Sequence, residues 1–256
     1  MVFINSLSII LVILTSNISH KQKVTAEPCF RVKTTTPNQP SCTEGDRNCT
    51  VEVINEKCDL TQPSSEGPFF LPNQPIRQDI REGRPGVPLK VEFTVKNTTC
   101  HPVQDAQVHV WHADALGVYS AYSDYYPLGD PSAKLQITGP HAEPSEEATF
   151  LRGIQLTDSN GRAKFETIYP GWYHVRTLHL HLKVTLAGKD KYTGEIYFPD
   201  WLTDKIAKVE PYKSHDEKRL KNDDDSQFVR ENGEDLLMTP KGNLDDGFEG
   251  QIEIII

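Results

Sequence analysis

The sequence predicts an all-β fold: an antiparallel β-sandwich with long loops and little helix. Three observations carry that expectation. Short segments alternate apolar and polar residues at period two. Gly, Pro and Asn turn signals separate them, and no stretch sustains a helical period.

Residues 1–22 read as a signal peptide. The apolar run Leu7 to Thr15 is too short to span a bilayer, which takes roughly 20 apolar residues. No Lys or Arg precedes the run, and no small-x-small site fixes the cleavage point. Residues 23–61, rich in Thr, Pro, Ser and Asn, read as a Cys-rich N-terminal segment. Cys29, Cys42, Cys49 and Cys58 cluster there, with Cys100 apart. Without a Cys-x-x-Cys pair, disulfides are expected rather than zinc. Five Cys then imply two bridges and one thiol left over or paired between chains, with the place of Cys100 open. Asn48-Cys-Thr and Asn97-Thr-Thr are glycosylation acceptors by sequence. These features together predict a secreted, extracellular protein.

Residues 62–256 read as the sandwich domain. Leu89 to Val95 and Ala106 to Trp111 alternate as half-buried strands. Residues 123–148 carry no period and read as a long loop. The Asp158-Ser-Asn-Gly161 turn leads into the strand Arg162–Ile168, and Tyr169-Pro-Gly-Trp172 is a further turn. Leu178–Leu186 and a short Ile196–Phe198 read as strands, Asp200–Val209 as one or two helical turns, and Gly250–Ile256 as a last strand. The charged run 213–225 reads as a solvated loop. So does the loop bearing Arg77, Arg81 and Arg84. His109 and His112 fall on opposite strand faces, which predicts one of them exposed, and Trp111 reads as core.

The balance of 27 basic against 36 acidic residues gives a charge of −9, which argues against a nucleic-acid partner. No segment is long and apolar enough for a membrane partner.

The chemistry concentrates in YPGWYHVRTLHLHLKVTL, residues 169–186. On a strand His179 and His181 face one way and Leu180 and Leu182 the other. Such a pair either holds a transition metal or forms a polar strand face. No Asp or Glu lies between His181 and Asp190 to complete a carboxylate site, and His174 would reach a three-His site only with strain. The phenols of Tyr119 and Tyr173 are further donors, of a kind suited to ferric iron.

The ordered set of motifs resembles the intradiol ring-cleavage dioxygenases, the family of catechol and protocatechuate dioxygenases. The matching pieces are Glu66-Gly-Pro-Phe-Phe70, Asp79-Ile-Arg-Glu-Gly83 and Val110-Trp-His-Ala-Asp-Ala-Leu-Gly-Val-Tyr-Ser120. They continue through Phe150-Leu-Arg-Gly153, Thr157-Asp-Ser-Asn-Gly161, Thr167-Ile-Tyr-Pro-Gly171 and Arg176…His179-x-His181. The resemblance implies a β-sandwich with mononuclear non-haem Fe(III), held by Tyr119, Tyr173, His179 and His181. It places Arg176 beside the aromatic substrate and makes Tyr173 the ligand that substrate displaces, acting then as a base. Glu195 falls where protocatechuate enzymes carry a glutamine, and Val175 replaces an aromatic residue. Tyr122, Glu195 and Tyr197 are candidate pocket residues. The implied partners are small catechols and O2, the implied products cis,cis-muconate-type diacids, and the implied role breakdown of environmental or dietary phenolics. The alternatives are a non-catalytic secreted binding sandwich and a zinc hydrolase built on the His-x-His pair. Lack of a helical dimerisation segment predicts a monomer.

Overall fold

A computed structural model of the chain describes residues 57–125 and 141–256, with the backbone of 23–25 and 50–52. The expected signal peptide, Cys29, Cys42, Cys49 and Asn48 lie outside the described residues. The chain divides into two compact units, Met1–Glu56 and Lys57–Ile256. In the first, β1 (Lys23–Thr25) pairs antiparallel with β2 (Thr50–Glu52).

The second unit is a sandwich of two four-stranded sheets. One has the order β6 (Arg162–Ile168), β3 (Pro88–Lys96), β10 (Gly247–Ile255), β9 (Lys241–Asn243). The other has the order β5 (Arg152–Leu156), β4 (Gln107–Trp111), β7 (His179–Leu186), β8 (Lys189–Tyr197). Period-two alternation dictates the core: Leu89, Val91, Phe93 and Val95 from β3 join Val108 and Val110 from β4 and Leu180, Leu182 and Val184 from β7. Because those residues face inward, His109, Trp111, His179, His181 and Lys183 face out from the β4–β7 pair.

That outer face is not left to solvent. A second apolar cluster of Phe69, Phe70, Trp111, Ala113, Tyr119, Ala121, Tyr122, Ala142 and Tyr173 roofs it. The covering corrects one expectation: His109 and His112 are both buried, because both faces of the sheet are packed. His112 Nε2 meets Thr167 Oγ1 at 2.7 Å and its Nδ1 meets the Ala113 carbonyl at 2.7 Å. Trp111 likewise is more than core, since it forms part of this roof.

Other differences have local causes. β10 runs parallel to β3, the one non-antiparallel ladder among the described strands, because the chain crosses between sheets before its last strand. β5 was hidden by its buried Arg152, and β8 reaches back to Lys189 through a polar edge half. The helix expected after Asp200 is α1 (Asp200–Ile206). The run 213–225 is not simply a solvated loop: Asn222 and Asp225 are buried, and Asp225 caps the short α2 (Ser226–Arg230). Cys100 is bridged to Cys58, which ties the start of the unit to the turn after β3.

Candidate metal centre and active site

Three pieces of backbone bring four donors together. β7 supplies His179 and His181 on one face. The turn after β4 supplies Tyr119, and the segment before β7 supplies Tyr173. Tyr119 Oη lies 3.0 Å from His181 Nε2 and 3.4 Å from His179 Nε2. Tyr173 Oη lies 3.2 Å from His179 Nε2, and the two Nε2 atoms are 3.2 Å apart. All four side chains are buried.

The supporting groups fix the imidazoles. His179 Nδ1–H donates to the Thr177 carbonyl at 2.7 Å, which leaves the Nε2 lone pair facing the phenols. His181 stacks on Trp111, ring planes 2° from parallel with centroids 5.0 Å apart. Gly67, in left-handed conformation (φ +71°), lets the backbone pass over His181: a Cβ there would come within 2.9 Å of the imidazole Cε1.

Burial sets the electrostatics. It lowers the pKa of His179 and, further, of His181, so both imidazoles stay neutral, the form that ligates a metal. It raises the Tyr119 phenol well above its ordinary value and pushes Tyr173 up to about 12. Two phenols that burial keeps protonated, beside two neutral imidazoles, become anionic ligands only when a cation takes the proton's place. The donor set therefore fits a hard, highly charged ion.

Glu195 also stands within reach, and with His179 and His181 forms a carboxylate-bearing cluster. It comes from β8, opposite His181 in the ladder, which is why a search along β7 for a carboxylate missed it. Its oxygens are already engaged: both accept from Arg176, Oε2 accepts from Tyr197 Oη at 2.6 Å, and Oε1 accepts from Gln227 Nε2 at 3.1 Å. Burial opposes ionisation of Glu195, but the Arg176 guanidinium against it outweighs burial and holds the carboxyl below its ordinary value. Its Oε1 lies 3.7 Å from His181 Nδ1 and 3.8 Å from His179 Nε2. Glu195 is thus a charged neighbour of both imidazoles whose oxygens are held by Arg176, Tyr197 and Gln227.

Among the other expected site residues, Arg176 lies against Glu195, and Tyr197 packs 6.2 Å from His179, ring to ring. Tyr122 packs at a tilt against Phe69, ring centroids 4.9 Å apart, with its hydroxyl on the Ala142 carbonyl, so it forms part of the roof. His174 pairs with Glu217 at 3.8 Å and takes no part among the four donors. Arg77, Arg81 and Arg84 are paired with Glu82, Asp79 and Asp114. Asn97 sits just past β3.

A β-sandwich that gathers two Tyr and two His over one covered sheet face presents a donor set that fits a metal ion. A dioxygenase family model matches residues 65–235, more than half of the chain. The chain belongs to the intradiol ring-cleavage dioxygenase family. It is similar to the chlorocatechol 1,2-dioxygenase of Cupriavidus pinatubonensis, 30% identical over 148 residues, covering 56% of this chain and 57% of that protein. A hydroxyquinol 1,2-dioxygenase of Rhodococcus opacus is 39% identical over 152 residues, 51% of this chain and 43% of that protein. The chain thus spans about half the length of these curated relatives. Among solved structures, an intradiol ring-cleavage dioxygenase from Tetranychus urticae superimposes with TM-score 0.70 at 32% identity, covering 78% of this chain and 94% of that one.

Proposed function

We propose that the chain is an Fe(III)-dependent intradiol dioxygenase. It opens a catechol between its two hydroxylated carbons, and both atoms of O2 enter a cis,cis-muconate-type diacid. The convergence of Tyr119, Tyr173, His179 and His181, with oxygens and nitrogens 3.0–3.4 Å apart, carries this reading. These four residues would hold the ion, and bound ferric iron would withdraw electron density from the deprotonated catechol ring and ready it for O2.

The chain's own groups do the rest. Tyr173 Oη, buried beside His179 Nε2, would take a proton from a catechol hydroxyl. The Arg176 guanidinium supplies positive charge next to the pocket for charge developing on the ring. Trp111 and the Thr177 carbonyl hold the two imidazoles in one orientation. Phe69, Tyr122 and the rest of the roof keep water from the reacting atoms. Glu195 and Tyr197, joined by a hydrogen bond, pack against the imidazoles on the β8 side.

An oxygen electrode with a panel of catechols, coupled to mass analysis of products formed in labelled O2, tests this. One O2 consumed per catechol and a diacid bearing both labelled atoms is the expected outcome. No uptake, or a ring-opened semialdehyde, refutes it.

We further propose a secreted, monomeric enzyme acting on environmental or dietary phenolics, with residues 1–22 removed and glycans at Asn48 and Asn97. The Cys58–Cys100 bridge supports an oxidising compartment. Asn97 Oδ1 accepts from Thr99 N, Thr99 Oγ1 and His101 N, an exposed turn that presents the amide nitrogen. Mass analysis of the protein before and after deglycosylation reads both sites.

A further inference from the structure

Asp225 lies far along the sequence from every donor, in a charge run, yet it is 1% exposed and reaches the site. Its two oxygens are divided between two tasks. Oδ1 accepts from the backbone N–H of Gln227 at 2.8 Å and of Phe228 at 3.4 Å, the cap of α2. Oδ2 accepts from Arg176 Nε at 3.0 Å and from the Thr177 backbone N–H at 2.8 Å.

The Oδ2 contacts lead to both halves of the site. Arg176 is gripped at its far end by Glu195, through Nη1 at 3.1 Å and through Nη2. A pair gripped only there can pivot; the second pin at Nε fixes the guanidinium plane. Thr177, held by its N–H, presents the carbonyl that accepts from His179 Nδ1 at 2.7 Å. Its hydroxyl is tied to Asn222 Oδ1 at 2.8 Å.

A helix cap alone does not require a carboxylate, since Ser and Asn cap as well. Two donors converging on Oδ2 while two more converge on Oδ1 do require one. An Asn amide would have to point its NH2 at one of the two donor pairs.

We propose that Asp225 is a positioning residue for the reaction. It fixes Arg176 against the substrate ring and, through Thr177, the orientation of His179. This inference rests on the dioxygenase reading above and deepens it.

The test uses the full-length, iron-loaded protein. Asp225→Ser keeps a capping oxygen but cannot reach Arg176; Asp225→Asn keeps size and removes the charge. Both are expected to lower kcat at least tenfold with KM for catechol changed less than threefold, and to retain wild-type iron content. In an Arg176→Lys background, adding Asp225→Ser is expected to cost less than a further twofold, since the two act as one unit. Independently of turnover, the Arg176 Nε–H proton should exchange slowly in wild type and rapidly in Asp225→Ser. Wild-type-like kcat in Asp225→Ser, or full multiplicative losses in the double variant, would overturn the proposal while the dioxygenase reading stands. A wild-type protein without O2 uptake overturns the functional reading and this inference with it.

Discussion

Glu195 stands directly opposite His181 across the β7–β8 ladder, its Oε1 3.7 Å from His181 Nδ1, yet its hydrogen bonds run to Arg176, Tyr197 and Gln227. A buried carboxylate therefore sits beside both imidazoles and against the Arg176 guanidinium. It lessens the positive charge that Arg176 offers to a substrate.

Removing that charge should change substrate choice. Glu195→Gln keeps the size and an oxygen for Tyr197 Oη, turns its NH2 toward Arg176 Nη1 and Gln227 Nε2, and takes from Arg176 one of its two anionic partners. At the short range involved, one unit charge is worth about 1–3 kcal/mol at an effective dielectric near 20. The expected outcome is a fall of roughly tenfold in KM for a carboxylate-bearing catechol relative to catechol itself. Steady-state kinetics on the two substrates check it; an unchanged ratio speaks against an electrostatic role for Glu195.

Gly67 is where the roof backbone crosses His181. Gly67→Ala adds a Cβ that must come within 2.9 Å of the imidazole, at a left-handed φ that costs an L-residue about 1–2 kcal/mol. The variant should fold with a lowered Tm and hold less iron per chain, because the ring must move off its Trp111 stack. Metal content by elemental analysis decides; full iron loading would show that the close passage is not needed.

His112 makes stability fall in mild acid. Burial lowers its pKa from 6.5 to about 4. Above 6.5 the residue is neutral in both folded and unfolded chains and contributes no pH dependence. Between 6.5 and about 4 the unfolded chain binds a proton that the folded one refuses, so stability declines as pH falls; below that the loss is complete. At pH 5 this residue alone should remove about 2 kcal/mol. Urea unfolding at pH 7 and pH 5 should show that difference shrink in His112→Gln. An equal pH difference in the variant would assign the effect to other groups.

The Cys58–Cys100 bridge closes a loop with a sequence separation of 42. Chain-entropy reasoning gives about 4 kcal/mol for a loop of that size. Cys58→Ser with Cys100→Ser should lower stability by that order while leaving the site four intact, since neither Cys touches it. Denaturant unfolding and iron content, measured on one preparation, separate the two effects. Loss of iron along with stability would mean that the bridge supports the site.

Much of this was legible in sequence where one physical rule acted alone. Alternation placed His179 and His181 on one face and the valines of β4 in the core. The tyrosines were legible only through motif order, because Tyr119 and Tyr173 lie in irregular backbone with no period to aim them. What the sequence concealed were contacts set by register and by distant chain. Glu195 meets His181 through strand pairing, and Asp225 hides in an acidic run whose bland reading is solvation. An Asp immediately before Ser-Gln-Phe-Val is, however, a helix-cap signal, and that would have set Asp225 apart from Asp223 and Asp224. The burial of both His109 and His112 could not be read from β4, because the Phe69–Phe70 roof that covers its outer face comes from elsewhere in the chain.

The account stands on Tyr119 and Tyr173 acting as anionic ligands of ferric iron. The most direct measurement is the visible spectrum of the purified, iron-loaded protein beside that of Tyr119→Phe with its metal content determined. The account predicts a red to burgundy protein whose phenolate-to-iron band shifts and weakens in the variant. A colourless iron-loaded protein, or an unchanged band in Tyr119→Phe, would contradict it.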